Sequence, residues 1–348
     1  MIEKKLKTTA ICTGIFVILS LSVMFFRTAT KNILIAEATN EQANSVIDKN
    51  SYELKIEDAS SETLAGKIAI PLESGVGSDN ITSQDVFVDH KFVLYINGKE
   101  TDFYVKSILQ SGTEAVKGAT CTPINDKGRV CISLELDDLY ETTTELEDRA
   151  VYVSFSKPDN EDENIVVIDP LDEYGLRLVP FIKQELADDN IKVFFTRVTD
   201  EKISESQIKK FLEETGADFY IQTGAENADE NTGGVKTYFN DVFFIRKFGN
   251  VQLADELERN VVNATGQDAL GLFPIEDDNE LLRDSTIPSA YLILGNPANE
   301  VDNKMMTEDT YIESYAQGIA DAITESFGIV NPVEQEETDA LQGIIDGN

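Results

Sequence analysis

The run Ile165-Val166-Val167-Ile168 ends in an Asp-Pro pair, Asp169-Pro170. Four consecutive β-branched residues read as a strand buried on both faces, and the end of such a strand is where α/β enzymes place chemistry. The available donors restrict what that chemistry is. The chain has one histidine, His90, far in sequence from this strand. A zinc site made of several imidazoles and a Ser-His pair are therefore both excluded within that half of the chain. With no second imidazole, His90, between Asp89 and Lys91, is expected at a surface or a sheet edge and not on a metal. Two of the three cysteines, Cys121 and Cys131, flank the turn-rich stretch Pro123-Ile124-Asn125-Asp126-Lys127-Gly128. If that stretch turns a hairpin the thiols face each other, and outside the cytoplasm they are expected to form a disulfide.

Alternating strand and helix signals surround Asp169. A helix is expected from about Leu176 to Ala187, with Leu178, Phe181, Ile182 and Leu186 on its apolar face, then a strand Ile191–Thr196. Ser204-Glu205-Ser206-Gln207 has the form of a capping box opening a helix through Leu212. Strands follow at Phe219–Thr223, Val235–Phe239 and Ala290–Leu294, with a long helix carrying Val251, Ala254, Leu257 and Val261. The last helix carries Ile312, Tyr315, Ile319, Ala322 and Ile323 and is expected to stop at Gly328. Such alternation implies a largely parallel sheet covered on both faces.

Upstream, the period changes to two. Tyr52-Leu54-Ile56, Ile68-Ile70, Phe92-Leu94-Ile96, Val130-Ile132-Leu134-Leu136 and Val151-Val153-Phe155 each alternate with polar residues, which predicts strands with one wet face and a small β-sandwich over 52–157. Asn97-Gly98 is a hairpin signal after Val93-Leu94-Tyr95-Ile96. An acidic linker, 158–164, separates this module from the α/β part, 165–328, and an acidic tail, 329–348, is expected to stay mobile.

Residues Thr8 to Phe26 form nineteen uncharged residues behind Lys4, Lys5 and Lys7. That length predicts a single membrane-spanning helix over 8–26 with residues 1–7 cytoplasmic, a stalk over 27–51 and the bulk of the chain outside. Ala36-Glu37-Ala38 resembles a cleavage site, but Arg27 and Lys31 intervene, which favours an uncleaved anchor. Formal charge is -35, from 64 acidic and 29 basic side chains among 348 residues. Nucleic acid and anionic lipid are disfavoured as partners of the soluble part.

Five pieces, in order, resemble the catalytic domain of the zinc-dependent N-acetylmuramoyl-L-alanine amidases. They are Ile165-Val166-Val167-Ile168-Asp169-Pro170, Val193-Phe194-Phe195-Thr196-Arg197 with Asp200, Gly216-Ala217-Asp218-Phe219-Tyr220-Ile221, Gly234-Val235-Lys236-Thr237-Tyr238-Phe239, and the run from Leu281 to Gly295 that contains Arg283 and Ile287-Pro288-Ser289-Ala290-Tyr291-Leu292-Ile293. The resemblance covers about 164–328. It implies an amidase-like sheet flanked by helices, acting on the bond between muramic acid and the stem peptide of peptidoglycan.

The residues that the family uses for chemistry are missing. Its first zinc histidine, in Asp-Pro-Gly-His-Gly-Gly, falls on Asp172, and almost no room remains for the loop that carries the glutamate ligand. Its second histidine falls on Gly224, and its catalytic glutamate on Ile293. Zinc needs three protein ligands and an open position for water, and a base must take a proton from that water. No catalytic residue and no zinc are therefore expected, and the domain reads as a pseudoenzyme. Asp169, Asp172, Glu226 and Arg283 are candidates for a residual cleft; Asp172, Glu173 and Glu226 together would be the donors for a hard cation such as Ca²⁺. The expected role is a membrane-anchored envelope protein binding or regulating a cell-wall protein or peptidoglycan. The alternatives are a divergent active amidase and a structural spacer in an envelope or sporulation assembly.

Overall fold

A computed structural model describes residues 35–37, 51–59, 61–97, 101–124, 128–147, 149–158, 164–187, 190–242, 245, 247–275 and 279–331. The expected membrane span over 8–26 and the acidic tail beyond 331 lie outside the described residues. Among those described, no helix is long and apolar enough to cross a membrane.

The alternating segments form β1 (Ala36–Glu37), β2 (Tyr52–Glu53), β3 (Lys55–Asp58), β4 (Lys67–Pro71), β5 (Ile81–Val86), β6 (Lys91–Asn97), the helix α1 (Thr101–Lys106), β7 (Ile108–Ser111), β8 (Val116–Ile124), β9 (Arg129–Leu136), β10 (Glu141–Glu147) and β11 (Ala150–Ser156). They build two sheets, in the orders β1-β5-β6-β9-β8-β2 and β10-β11-β4-β7-β3. Ile68, Ile70, Val151 and Val153 of the second sheet share one core with Leu94, Ile96, Ile132 and Leu134 of the first. That shared core makes the module a sandwich, as the period-two pattern predicts. Part of the expected stalk belongs to it: Ala36–Glu37 pairs with β5, and Ile35 joins the core.

Two expectations for the module are corrected. Cys121 and Cys131 are both free and buried. Cys121 lies opposite Ile132 and Cys131 opposite Thr122, so the alternation of side chains sends the thiols to opposite faces of the sheet. Cys121 packs in the sandwich core, and Cys131 packs outside it with Val93, Tyr95 and Ile124. The hairpin expected after Asn97 does not lead into a strand, because the next element is α1 and the antiparallel neighbours of β6 are β5 and β9.

The α/β half follows as β12 (Asn164–Pro170), α2 (Glu173–Glu185), β13 (Ile191–Phe195), α3 (Glu205–Thr215), β14 (Phe219–Gly224), β15 (Val235–Phe239), α4 (Asn250–Thr265), β16 (Ala269–Pro274), α5 (Glu280–Asp284), β17 (Ser289–Ile293), α6 (Glu300–Met305) and α7 (Asp309–Val330). The strand order is β13-β12-β14-β17-β15-β16, parallel except where β15 meets β17. One face, with Val166, Ile168, Phe219, Ile221, Ala290 and Leu292, is covered by α2, α4 and α7. Burying each of these larger aliphatic or aromatic side chains contributes about 1.5–3 kcal/mol. The capping box at Ser204 forms as expected. Left-handed Gly216 and Gly266 end α3 and α4, but Gly328 is not left-handed, and α7 runs on to Val330.

The acidic linker does not keep the two halves apart. On the opposite face of the sheet, Ile165, Val167, Phe194, Phe211 and Tyr220 share a cluster with Leu139, Phe87 and Val88 of the sandwich. Phe87 meets Phe194 edge to face at 5.1 Å. His90 is not a free surface residue: its Nε2 lies 2.9 Å from Glu214 Oε2 across this junction. Gln207 Nε2 donates to Asp89 at 3.3 Å, and Lys192 pairs with Glu141 at 2.9 Å.

Candidate functional site

The ends of β12, β14 and β17 bring together the three positions that the sequence singles out. Asp172 caps α2, its Oδ1 accepting from the backbone N–H of Tyr174 at 3.0 Å and of Gly175 at 2.9 Å. Its Oδ2 accepts from the N–H of Ala225 at 2.7 Å, beside Gly224. Gly224 lies opposite Ile293 on the neighbouring strand. A Cβ at 224 would stand 3.0 Å from Asp172 Oδ2 and 3.1 Å from the Tyr291 hydroxyl, so a histidine there requires both neighbours to give way. Ile293 is buried.

This donor set does not suit zinc. Asp172 spends both oxygens on backbone donors, Gly224 supplies no ligand atom and Ile293 neither ligates nor accepts a proton. Among the described residues no group of three or more His, Cys, Asp or Glu side chains is placed to hold a metal ion. The oxygen cluster that Asp172, Glu173 and Glu226 would have to form for a hard cation does not assemble either. Glu173 is exposed, and Glu226 accepts from Lys236 Nζ at 2.7 Å and from the Tyr238 hydroxyl at 2.8 Å.

Tyr238 stacks on Tyr291, with centroids 6.1 Å apart, and Lys236 lies over the Tyr238 ring at 5.0 Å. Burial works against the Lys236 ammonium, but its bonds to Glu226 and Tyr238 leave its pKa raised. Lys236 is therefore a fixed cation and not a base near neutral pH. Burial, then the charge of Asp172, raises the pKa of Tyr291 as well. Lys236, Tyr238 and Tyr291 were not singled out from sequence; the signal was their spacing of two, which places them on one face with Ile293.

Asp169 points elsewhere. Fully buried, it accepts through Oδ1 from the Thr196 hydroxyl and from Arg197 Nη2 at 3.1 Å, and through Oδ2 from the Tyr220 hydroxyl at 2.8 Å. Burial and this carboxylate push the Tyr220 pKa well above its ordinary value, so the phenol stays a donor. Gln222 Nε2 donates to the Tyr220 oxygen at 3.1 Å, and Asn279 Nδ2 donates to Gln222 Oε1 at 2.8 Å. The result is a buried polar chain running from Arg197 to the cap of α5. Arg283 is exposed on α5, where its charge, after that of Lys209, helps hold the Asp284 carboxyl below its usual range. Asp169, Asp172 and Glu226 each have their own hydrogen-bond partners, and the charges of all three act on Tyr291.

Residues 172–325 match the sequence model of the N-acetylmuramoyl-L-alanine amidase family. No curated protein matches the chain. Among solved structures, the chain is similar to the catalytic domain of CwlV, an N-acetylmuramoyl-L-alanine amidase from Bacillus (Paenibacillus) polymyxa var. colistinus, at 20% identity and a TM-score of 0.43, over 48% of this chain and 99% of that one. It is also similar to an N-acetylmuramoyl-L-alanine amidase from Clostridium difficile 630, at 18% identity and a TM-score of 0.44, over 50% of this chain and 100% of that one. A third is the CwlD amidase from Clostridioides difficile, solved in complex with the GerS lipoprotein, at 17% identity and a TM-score of 0.40, over 48% and 100%. The similarity to the N-acetylmuramoyl-L-alanine amidase family is therefore a property of the segment 172–325, somewhat less than half of the chain.

Proposed function

We propose that this chain is a non-catalytic, amidase-like protein of the cell envelope, anchored through residues 8–26, which binds or regulates a cell-wall protein or peptidoglycan and holds no zinc. The carrying observation is the closure of positions 172, 224 and 293, where the Asp172 carboxylate is consumed by the N–H groups of Tyr174, Gly175 and Ala225. A metal at Asp172 competes with the cap of α2 at Oδ1 and with the Ala225 N–H at Oδ2, and Gly224 and Ile293 add no ligand beside it. The net charge of -35 favours a partner of basic character over the anionic wall.

The test incubates the full-length protein, in detergent, with purified peptidoglycan and measures new amino termini in solution and protein in the pellet. No amino termini above a protein-free control are expected. Release that grows with protein concentration would establish the competing reading, a divergent amidase. Absence from the pellet would leave a protein partner as the ligand.

A further inference from the structure

A cavity of about 180 Å³ lies at the junction of the halves, between the outer face of the first sandwich sheet and the segment from Thr196 to Ile203 that joins β13 to α3. Strand register sets its floor. Gln84 lies opposite Val93, Val93 opposite Ser133 and Tyr95 opposite Cys131, so these side chains share one face. Gln84 is only 3% exposed, and neither its Nε2 nor its Oε1 has a hydrogen-bond partner. Across the cavity, Arg197 Nε is also buried without a partner, because the guanidinium spends Nη1 on the Glu201 carbonyl and Nη2 on Asp169.

Buried polar atoms are nearly always paired, so a carboxamide with both ends unpaired on a cavity wall asks for a ligand. The unpaired set is an amide donor, an amide acceptor and one guanidinium N–H. A secondary amide completes it: its carbonyl accepts from Gln84 Nε2 or Arg197 Nε, and its N–H donates to Gln84 Oε1. An anionic ligand fits less well. Arg197 is already neutralised by Asp169, and the other cation on the wall, Lys91, pairs with Asp89 at 3.4 Å. The volume is below the ~300–1,000 Å³ of sites for drug-sized ligands, which sets the size at about one sugar ring or two amino acids.

We infer that the junction cavity binds a small neutral molecule, or the end of a larger one, through a secondary amide held by Gln84 and Arg197. An N-acetylated amino sugar and a short peptide both supply that group. This site is separate from the closed strand-end positions, so binding here and binding to peptidoglycan can fail independently.

The experiment uses full-length protein and ligand-observed saturation-transfer NMR with three probes: N-acetylglucosamine, N-acetylalanine methylamide and glucose, which has the ring but no amide. Transfer to at least one amide probe and none to glucose is expected, and the amide that responds identifies the source. In Gln84→Leu the affinity is expected to fall about tenfold or more, as for loss of a pair of buried hydrogen bonds. Should that variant not fold, the ester counterpart of the responding probe, which lacks the N–H, is expected to bind wild-type protein about tenfold more weakly. No response from either amide, an equal response from glucose, unchanged binding by Gln84→Leu, or an ester that binds as well as the amide would each overturn the inference.

Discussion

At the strand ends where Asp172, Gly224 and Ile293 meet, both oxygens of Asp172 and both oxygens of Glu226 have donors within the chain, whereas in the junction cavity both ends of the Gln84 carboxamide have none. The two regions lie on either side of Asp169, the last residue of β12 before its proline, which sends its own carboxylate towards the junction. Folding alone engages the Asp172 and Glu226 carboxylates and leaves the Gln84 carboxamide with unused bonding capacity.

Removing the cation that holds Asp169 gives the largest expected effect. Arg197→Met leaves a fully buried carboxylate with only hydroxyl donors and is expected to cost about 3–5 kcal/mol in urea unfolding. A loss under about 1 kcal/mol would show that the carboxylate is not held by this charge. Asp172→Ala and Gln84→Leu then oppose the two regions directly. The first removes the cap of α2 and its tie to Ala225 and should destabilise by about 1–2 kcal/mol. The second removes an unpaired buried amide and should be neutral or stabilise by up to about 1 kcal/mol. Equal losses from the two would erase the distinction.

The thiols sharpen the same contrast, since Cys121 sits in the sandwich core and Cys131 on the cavity wall. Burial pushes Cys121 up to about 11 and Cys131 up to about 12. Both should stay unmodified by a thiol reagent at pH 8 in the native state, react after unfolding, and yield no linked peptide under oxidation. Because the native values are raised, the stability linked to these groups is full below the unfolded thiol value and is lost as pH rises above it.

The smallest effect is at Glu214. Burial raises its pKa, but Lys210 and His90 outweigh that and hold it below the ordinary carboxylate range. Its contribution is present above that range and is lost as pH falls through the lower native value. Acid should therefore loosen the junction, read as a fall in the unfolding midpoint that is smaller in Glu214→Gln than in wild type.

The α/β elements were legible because their apolar periods are clean, and the capping box at Ser204 formed as written. β16 was not legible: Gly271 and Pro274 are poor strand residues, and the strand survives as an edge paired only to β15. That positions 172, 224 and 293 lie together at the strand ends was legible by register. Their closure was not, because it depends on Asp172 reaching the backbone of another strand. The junction was hidden by the acidic linker, since nothing local to His90 or Gln84 tells that a distant loop crosses the outer face of their sheet. The disulfide failed on a count of parity: the register places Cys131 opposite Thr122, one residue beyond Cys121.

Metal stoichiometry tests the central claim most directly. Full-length protein equilibrated with excess zinc, dialysed and analysed for metal is predicted to retain far less than one zinc per chain, and Asp172→Ala is predicted to retain no less. One zinc per chain in the wild type, lost in Asp172→Ala, would contradict the account and return the strand-end positions to the status of a metal site.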